Sequence, residues 1–250
     1  MIDLHTHILP DIDDGARDVE TSLALIKAEK EQGVKEIVFT PHYYGKKTSP
    51  EKFLENRQRA FEKIADKIDG VKLRLGAETY FDEMKIVSNS ELCKLAIENT
   101  KYILLELPFT KSWSEKLIFR LRDFILATNY TPIIAHVERY PAVRKNPAYL
   151  SLLSDFGCLF QVNTKAFTSR QTKSLAFAML KKGCISCLGT DTHNLTDRAP
   201  DLAQTKALLK EKGESESLEK IFGVMRDILD GKEVKTPVYQ PLKKFFNKYF

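Results

Sequence analysis

Long apolar runs are missing from this chain. No stretch approaches the roughly 20 consecutive apolar residues of a membrane span, and MIDLHTHILP begins without a basic segment leading into an apolar one. Neither a spanning helix nor a cleaved secretory leader is expected, which makes the cytoplasm the expected address. Cysteine is scarce: Cys93, Cys158, Cys184 and Cys187 are too few for a disulfide framework in 250 residues, and the CISC pair at 184–187 sits in an apolar run and reads as core. Charge of one sign is lacking too. The 39 Lys and Arg and 34 Asp and Glu are interspersed and leave a net charge of +5, so no basic groove for nucleic acid is indicated. Low-complexity linkers and internal sequence repeats are absent, which favours a single domain over residues 1–235. The exception is the end, 236–250, where PLKKFFNKYF alternates Lys243, Lys244 and Lys248 with Phe245, Phe246, Tyr249 and Phe250.

What does recur is a type of element. Seven short β-rich runs, 2–7, 36–41, 71–78, 102–107, 131–137, 158–163 and 184–191, alternate with segments whose apolar residues fall at helical spacing, such as Leu23, Leu25 and Ile26 before a stop at Gly33, or Leu117, Leu121, Ile125 and Leu126 after Trp113. The stretch 79–101 is longer and more polar, and its helix is less regular. Nearly continuous apolar strands separated by helices imply a parallel sheet covered on its faces. Seven such units fit a closed or nearly closed α/β barrel better than an open sheet.

Histidine is rare, with five copies, and every copy lies at or just after the carboxyl end of one of those runs. His5 and His7 end the first, His42 follows the second, His136 closes the fifth and His193 the seventh. Carboxylates share these places: Asp14 after the first run, Glu78 ending the third, Glu106 the fourth and Asp191 the seventh. Barrel active sites are built from that rim. His5 and His7, alternate residues of one strand, point to the same face and can meet one ion. A donor set of imidazole and carboxylate without thiolate favours Mn, Fe or Zn in a catalytic site. Nine such side chains exceed the about four to six donors one ion takes, so two or three ions are implied. Asp11 and Asp13 read as turn residues of DIDDG, and Asp3 as a buried partner of a histidine. Arg139 in HVERY and Arg198 in THNLTDR follow two of the histidines and suit an anion such as phosphate, which a planar guanidinium holds with two hydrogen bonds.

These motifs, His5-x-His7, Asp14 before Gly15, His42, Glu78, Glu106, His136 and Asp191-x-His193, resemble the PHP (polymerase and histidinol phosphatase) superfamily over almost the whole chain. More narrowly, MIDLHTHILPDIDDGA, TPHYYG, GAETYF, IIAHVERY and DTHNLTDR resemble the manganese-dependent protein-tyrosine phosphatases of capsule and exopolysaccharide loci in Gram-positive bacteria. The resemblance implies a distorted (β/α)7 TIM-like barrel and three divalent ions, Mn2+ first with Fe or Zn as alternatives. It implies His5, His7, Glu78 and Asp191 on the first ion, Asp14, His42 and His193 on the second, and Glu78, Glu106 and His136 on the third. Arg139 and Arg198 are implied as the phosphate-binding catalytic arginines. The implied reaction is hydrolysis of phosphotyrosine by attack of a metal-bridging hydroxide. The implied partner is a tyrosine kinase that regulates polysaccharide synthesis at the membrane, which places the protein in the cytoplasm or at the inner face of the membrane.

Rival chemistries can be weighed on the same residues. A cysteine phosphatase has an arginine six residues after its nucleophile, and here those positions hold Asn99, Thr164, Thr190 and His193. A histidinol-phosphate or other small-molecule phosphomonoesterase would share every ligand and both arginines. A nucleic-acid phosphoesterase would call for a basic, aromatic groove, a metal amidohydrolase for a bridging lysine, and a silent binding module for lost ligands. For the basic aromatic tail two readings stand: a packing or disordered end, or a peripheral contact with an anionic leaflet.

Overall fold

The computed structural model describes residues 1–83, 89–236, 241–246 and 248–250. In chain order its strands are β1 (Ile2–Thr6), β2 (Glu36–Phe39), β3 (His42–Tyr43), β4 (Lys72–Leu75), β5 (Glu78–Tyr80), β6 (Tyr102–Glu106), β7 (Thr131–Ile134), β8 (Leu159–Asn163), β9 (Cys187–Gly189), β10 (Lys244–Phe245) and β11 (Lys248–Tyr249). The helices are α1 (Val19–Glu31), α2 (Pro50–Glu62), α3 (Asn89–Leu95), α4 (Glu115–Ala127), α5 (Pro141–Lys145), α6 (Ala148–Asp155), α7 (Lys173–Lys181), α8 (Leu202–Glu211) and α9 (Ser215–Leu229).

β1 to β9 pair in parallel in two sheets, β1-β2-β4 and β3-β5-β6-β7-β8-β9. The ring closes where Asp191 N donates to His5 O at 2.8 Å and His7 N donates to Thr192 O at 2.9 Å. Two sheets arise because the runs 36–41 and 71–78 both break in mid-course. Pro41 has no N–H for a ladder, and Gly76-Ala77 faces that break, with Gly76 N donating to Phe39 O at 2.8 Å and Glu78 N to Pro41 O at 3.0 Å. Both strands resume together as β3 and β5, so the seven-unit barrel is kept and its second and third units are kinked. His42 and Glu78 become register partners by this shared break.

Local sequence explains the helices. Asp18, Ser49 and Ser114 cap α1, α2 and α4 through their side-chain oxygens, Pro50 opens α2, and Gly33, at φ 86°, stops α1. In α9, Leu218, Ile221, Phe222, Met225, Ile228 and Leu229 form one buried stripe over β1 and β9. Helix α4 buries Leu117, Ile118 and Leu121, whereas Leu126, expected on its apolar face, is exposed. The stretch 79–101 holds the end of β5, a short turn of 3-10 helix at Phe81–Glu83 and α3, with 84–88 outside the described residues.

Cys158, Cys184 and Cys187 are buried and Cys93 is exposed, and none of the four is in a disulfide. Burial raises the thiols of Cys158, Cys184 and Cys187, the second to about 12, so they are inert core residues. The tail forms an antiparallel hairpin, β10 against β11, resting on α7. Among the described residues, no helix is long and apolar enough to cross a membrane.

Candidate metal centre

Histidines and carboxylates gather at the carboxyl ends of the strands. His5, His7, Glu78, Glu106, His136, Asp191 and His193 are all buried there, and His42 is largely so. The backbone makes room for them. A Cβ on Gly189 would lie 2.5 Å from His5 Cβ, and one on Gly15 would lie 1.9 Å from His7 O, so neither position accepts a side chain. His136 and Asp191 both sit in the left-handed region, at φ 31° and 55°. Such strain is held only where neighbours over-determine it; here His136 N donates to Gln161 Oε1 at 2.6 Å and Asp191 N to His5 O at 2.8 Å.

Glu78 is the hub. Its Oε2 lies 3.3 Å from His5 Nε2, 3.2 Å from His7 Nε2 and 3.0 Å from His42 Nδ1, while its Oε1 meets His136 Nε2 at 2.7 Å. Burial opposes its ionisation, and the charges of His5 and His136 overcome that and hold the carboxyl well below the usual range. Around this hub the donors fall into three overlapping groups: His7, Asp14, His42 and His193; His5, His7 and Glu78; His42, Glu78 and Glu106. Asp191 Oδ1 approaches His5 Nε2 at 3.7 Å and His7 Nε2 at 3.5 Å. Asp14 reaches both His42 and His193 at 3.5 Å, and Glu106 Oε1 stands 3.6 Å from His136 Nε2. All nine residues singled out as ligands therefore meet in one place. The grouping is more shared than expected from resemblance, with His7 also lying beside the Asp14 set and His42 beside Glu106.

Arg139 and Arg198 converge on one carboxylate, each on a different oxygen. Arg139 Nη1 bonds Asp191 Oδ2 at 2.9 Å and Arg198 Nη2 bonds Asp191 Oδ1 at 2.7 Å. Burial opposes the Asp191 charge, and His5, His7, His136 and Arg198 outweigh it, so this carboxyl also stays below its usual range. Both arginines border a cavity of about 450 Å³ shared with Phe109, Arg144 and Lys165. Glu106 behaves differently: burial and the charge of Glu78 push it up to about 7.

Three residues in direct support were missed or misread in the sequence. Asp13, read as a turn residue, does accept from Gly15 N, yet its Oδ2 also lies 2.7 Å from His7 Nδ1 and accepts from His42 N at 3.0 Å. Gln161 Oε1 lies 3.1 Å from His5 Nδ1, and Gln161 Nε2 donates to Asn163, whose Nδ2 donates to Asp191 Oδ2 at 2.9 Å. The available signal was two amides at alternate positions of the otherwise apolar strand CLFQVN. Asp3, expected as a buried partner of a histidine, is buried and accepts from the backbone N–H groups of His5 and Thr190.

The donor set fits divalent ions. Among the described residues, Glu78 Oε2, His136 Nδ1 and His193 Nε2 are buried without a hydrogen-bond partner, and five imidazoles converge with four carboxylates, of which Asp14 alone is exposed. Orphaned donors and acceptors of this kind are costly unless a ligand uses them.

The model of a family described as capsular polysaccharide synthesis, CpsB/CapC, matches residues 1–226. The chain belongs to the CpsB/CapC family. Its similarity to CpsB/CapC members runs through nearly the whole length. It is 31% identical over 234 residues to the tyrosine-protein phosphatase CpsB of Streptococcus pneumoniae, covering 89% of this chain and 95% of that one. It is 30% identical over 211 residues to the tyrosine-protein phosphatase YwqE of Bacillus subtilis, covering 79% of each. A solved structure from a study of YwqE and CpsB, described there as metal-dependent tyrosine phosphatases, superposes with a TM-score of 0.84 at 26% identity, over 98% of this chain and all of that one.

Proposed function

We propose that this chain hydrolyses phosphotyrosine, with a phosphorylated tyrosine kinase of a polysaccharide synthesis system as its protein substrate. The observation that carries this reading is the hub itself: four imidazoles ring Glu78 at the mouth of a barrel beside two arginines. Membership of the CpsB/CapC family supports the substrate class. Residues 1–235 would form the catalytic unit, working in the cytoplasm or at the inner face of the membrane, with 236–250 as its tail.

His5, His7, Asp14, His42, Glu78, Glu106, His136, Asp191 and His193 would hold three divalent ions, Mn2+ first, with Glu78 shared between them. When bound, such ions lower the pKa of water and neutralise charge on phosphoryl oxygens. The protein's own part is positioning. Asp13 and Gln161 fix the rings of His5 and His7, leaving their Nε2 atoms turned to the centre. Arg139 and Arg198, both partly exposed, offer guanidinium N–H groups to two phosphoryl oxygens. The ring of Phe109 lies 5.2 Å from the Arg139 guanidinium and 5.4 Å from the His136 ring, giving the substrate's phenyl group an apolar wall. A phenolate, with an ordinary pKa of about 10, departs without an obligatory proton donor.

The test compares hydrolysis of a phosphotyrosine peptide, p-nitrophenyl phosphate and histidinol phosphate by purified protein with and without added Mn2+. Manganese-dependent turnover of the peptide is expected. Turnover of histidinol phosphate with the peptide untouched would move the protein to the small-molecule phosphomonoesterases.

A further inference from the structure

The charges of this chain are interspersed except in two places that the fold brings together. Residues 156–190 and 234–250 hold nine lysines and arginines and none of the 34 Asp and Glu, so the rest of a chain of net charge +5 carries excess negative charge. The hairpin of β10 and β11 packs on α7, within the first of those segments. Tyr249 N is held by Ser174 Oγ at 3.2 Å, and Tyr249 Oη and Lys244 Nζ both donate to the Arg144 carbonyl. Arg170, Lys173 and Lys181 line a recess of about 780 Å³ between α7 and the hairpin, closed by Phe177, Tyr249 and Phe250.

This basic face also carries bare aromatic surface. Phe245, Phe246 and Phe250 are 66%, 82% and 55% exposed, three of the seven exposed large hydrophobics among the described residues. Phe245 and Phe246 are adjacent, with ring centroids 4.8 Å apart, and Phe246 adopts φ 52°, a conformation disfavoured for a bulky side chain. Neighbouring apolar rings held out in water mark a surface that something covers.

We infer that this face docks on an anionic lipid bilayer, with Phe245 and Phe246 entering the headgroup boundary and the lysines of the hairpin and α7 facing lipid phosphates. Aromatic rings with flanking lysines are the chemistry of interfacial anchoring. The docking face and the candidate active site share α5: the Arg144 carbonyl anchors the hairpin while the Arg144 side chain borders the cavity of Arg139 and Arg198. A docked protein would therefore work on phosphotyrosine presented close to the membrane.

The experiment is flotation of the full chain with phosphatidylglycerol-phosphatidylcholine vesicles and with pure phosphatidylcholine vesicles. Binding is expected only to the mixed vesicles, weakened by salt, and reduced roughly tenfold or more in the F245S/F246S double variant and in K243Q/K244Q/K248Q. In a F246W variant, indole emission should shift to the blue with mixed vesicles alone, the buried Trp113 serving as a constant background. Failure to bind either vesicle, or equal binding to both, overturns the inference. Undiminished binding of F245S/F246S would show a patch for any polyanion, an acidic protein included, and also overturns it. So would a doubled mass in light scattering that F245S/F246S abolishes, because a second copy of the chain would then cover the face.

Discussion

Two buried acidic clusters lie within a few residues of each other and have opposite electrostatics. At the rim, Glu78 and Asp191 are buried yet held ionised, because imidazoles and guanidiniums surround them. Behind β1, Asp3 and Glu29 are equally buried, against each other and the Thr190 hydroxyl with no cation beside them to stabilise their charge, and burial raises both carboxyls, Glu29, which also feels the Asp3 charge, well above its ordinary range. Burial alone neutralises a carboxyl. A carboxylate kept charged in the interior therefore marks a place built around charge, and at the rim it coincides with three converging groups of metal-capable donors, which do not include the Asp3–Glu29 pair.

The harshest way to break this contrast is to neutralise the hub. Glu78→Gln removes the charge shared by His5, His7, His42 and His136, and kcat on a phosphotyrosine peptide should fall roughly 1,000-fold, with far-UV circular dichroism unchanged. Retained activity would end the assignment. Chelation is the next probe: EDTA should abolish turnover, added Mn2+ should restore it, and the thermal midpoint should fall on chelation because ions that bind only the folded chain stabilise it by mass action. An activity indifferent to chelator would contradict the reading. A milder lesion lies one step outside. Asp13→Asn weakens the hold on His7 Nδ1, and activity or manganese affinity should drop about 10- to 100-fold, with more Mn2+ recovering much of the rate; loss of fold instead would assign Asp13 to the scaffold.

The smallest effect is expected in the other cluster. The folded-state pKa of Glu29 is raised, so the stability this carboxyl contributes is present below its ordinary value of 4.5 and is lost as pH rises towards the folded value. Glu29→Gln, which cannot ionise, should gain thermal stability relative to the parent as pH climbs from 5 to 9, and should leave peptide hydrolysis near the parental rate. Equal pH dependence of the two melting curves would show that Glu29 carries no such penalty.

Much of this architecture was legible because it rests on local patterns. Seven apolar runs and the stop at Gly33 each follow from residues near them in sequence. The placing of histidines at strand ends was legible for the same reason: residues at the end of a parallel strand are carried to one rim whatever the rest of the chain does. The kink shared by β2/β3 and β4/β5 was not, since Pro41 and Gly76 signal separate breaks and only their pairing aligns them. The double role of Asp13 escaped because its contact with His7 depends on how the DIDDG loop folds back.

By itself the sequence determined the fold class and which side chains the strand ends carry to one rim, because strand period and residue chemistry are properties of short stretches. Tertiary structure alone decided that Glu78 is the centre of four imidazoles, that Arg139 and Arg198 converge on Asp191, and that an acid-free helix meets an acid-free tail. Those facts depend on distances of a few ångströms between residues far apart in sequence, and only the closing of the barrel and the packing of its helices set them.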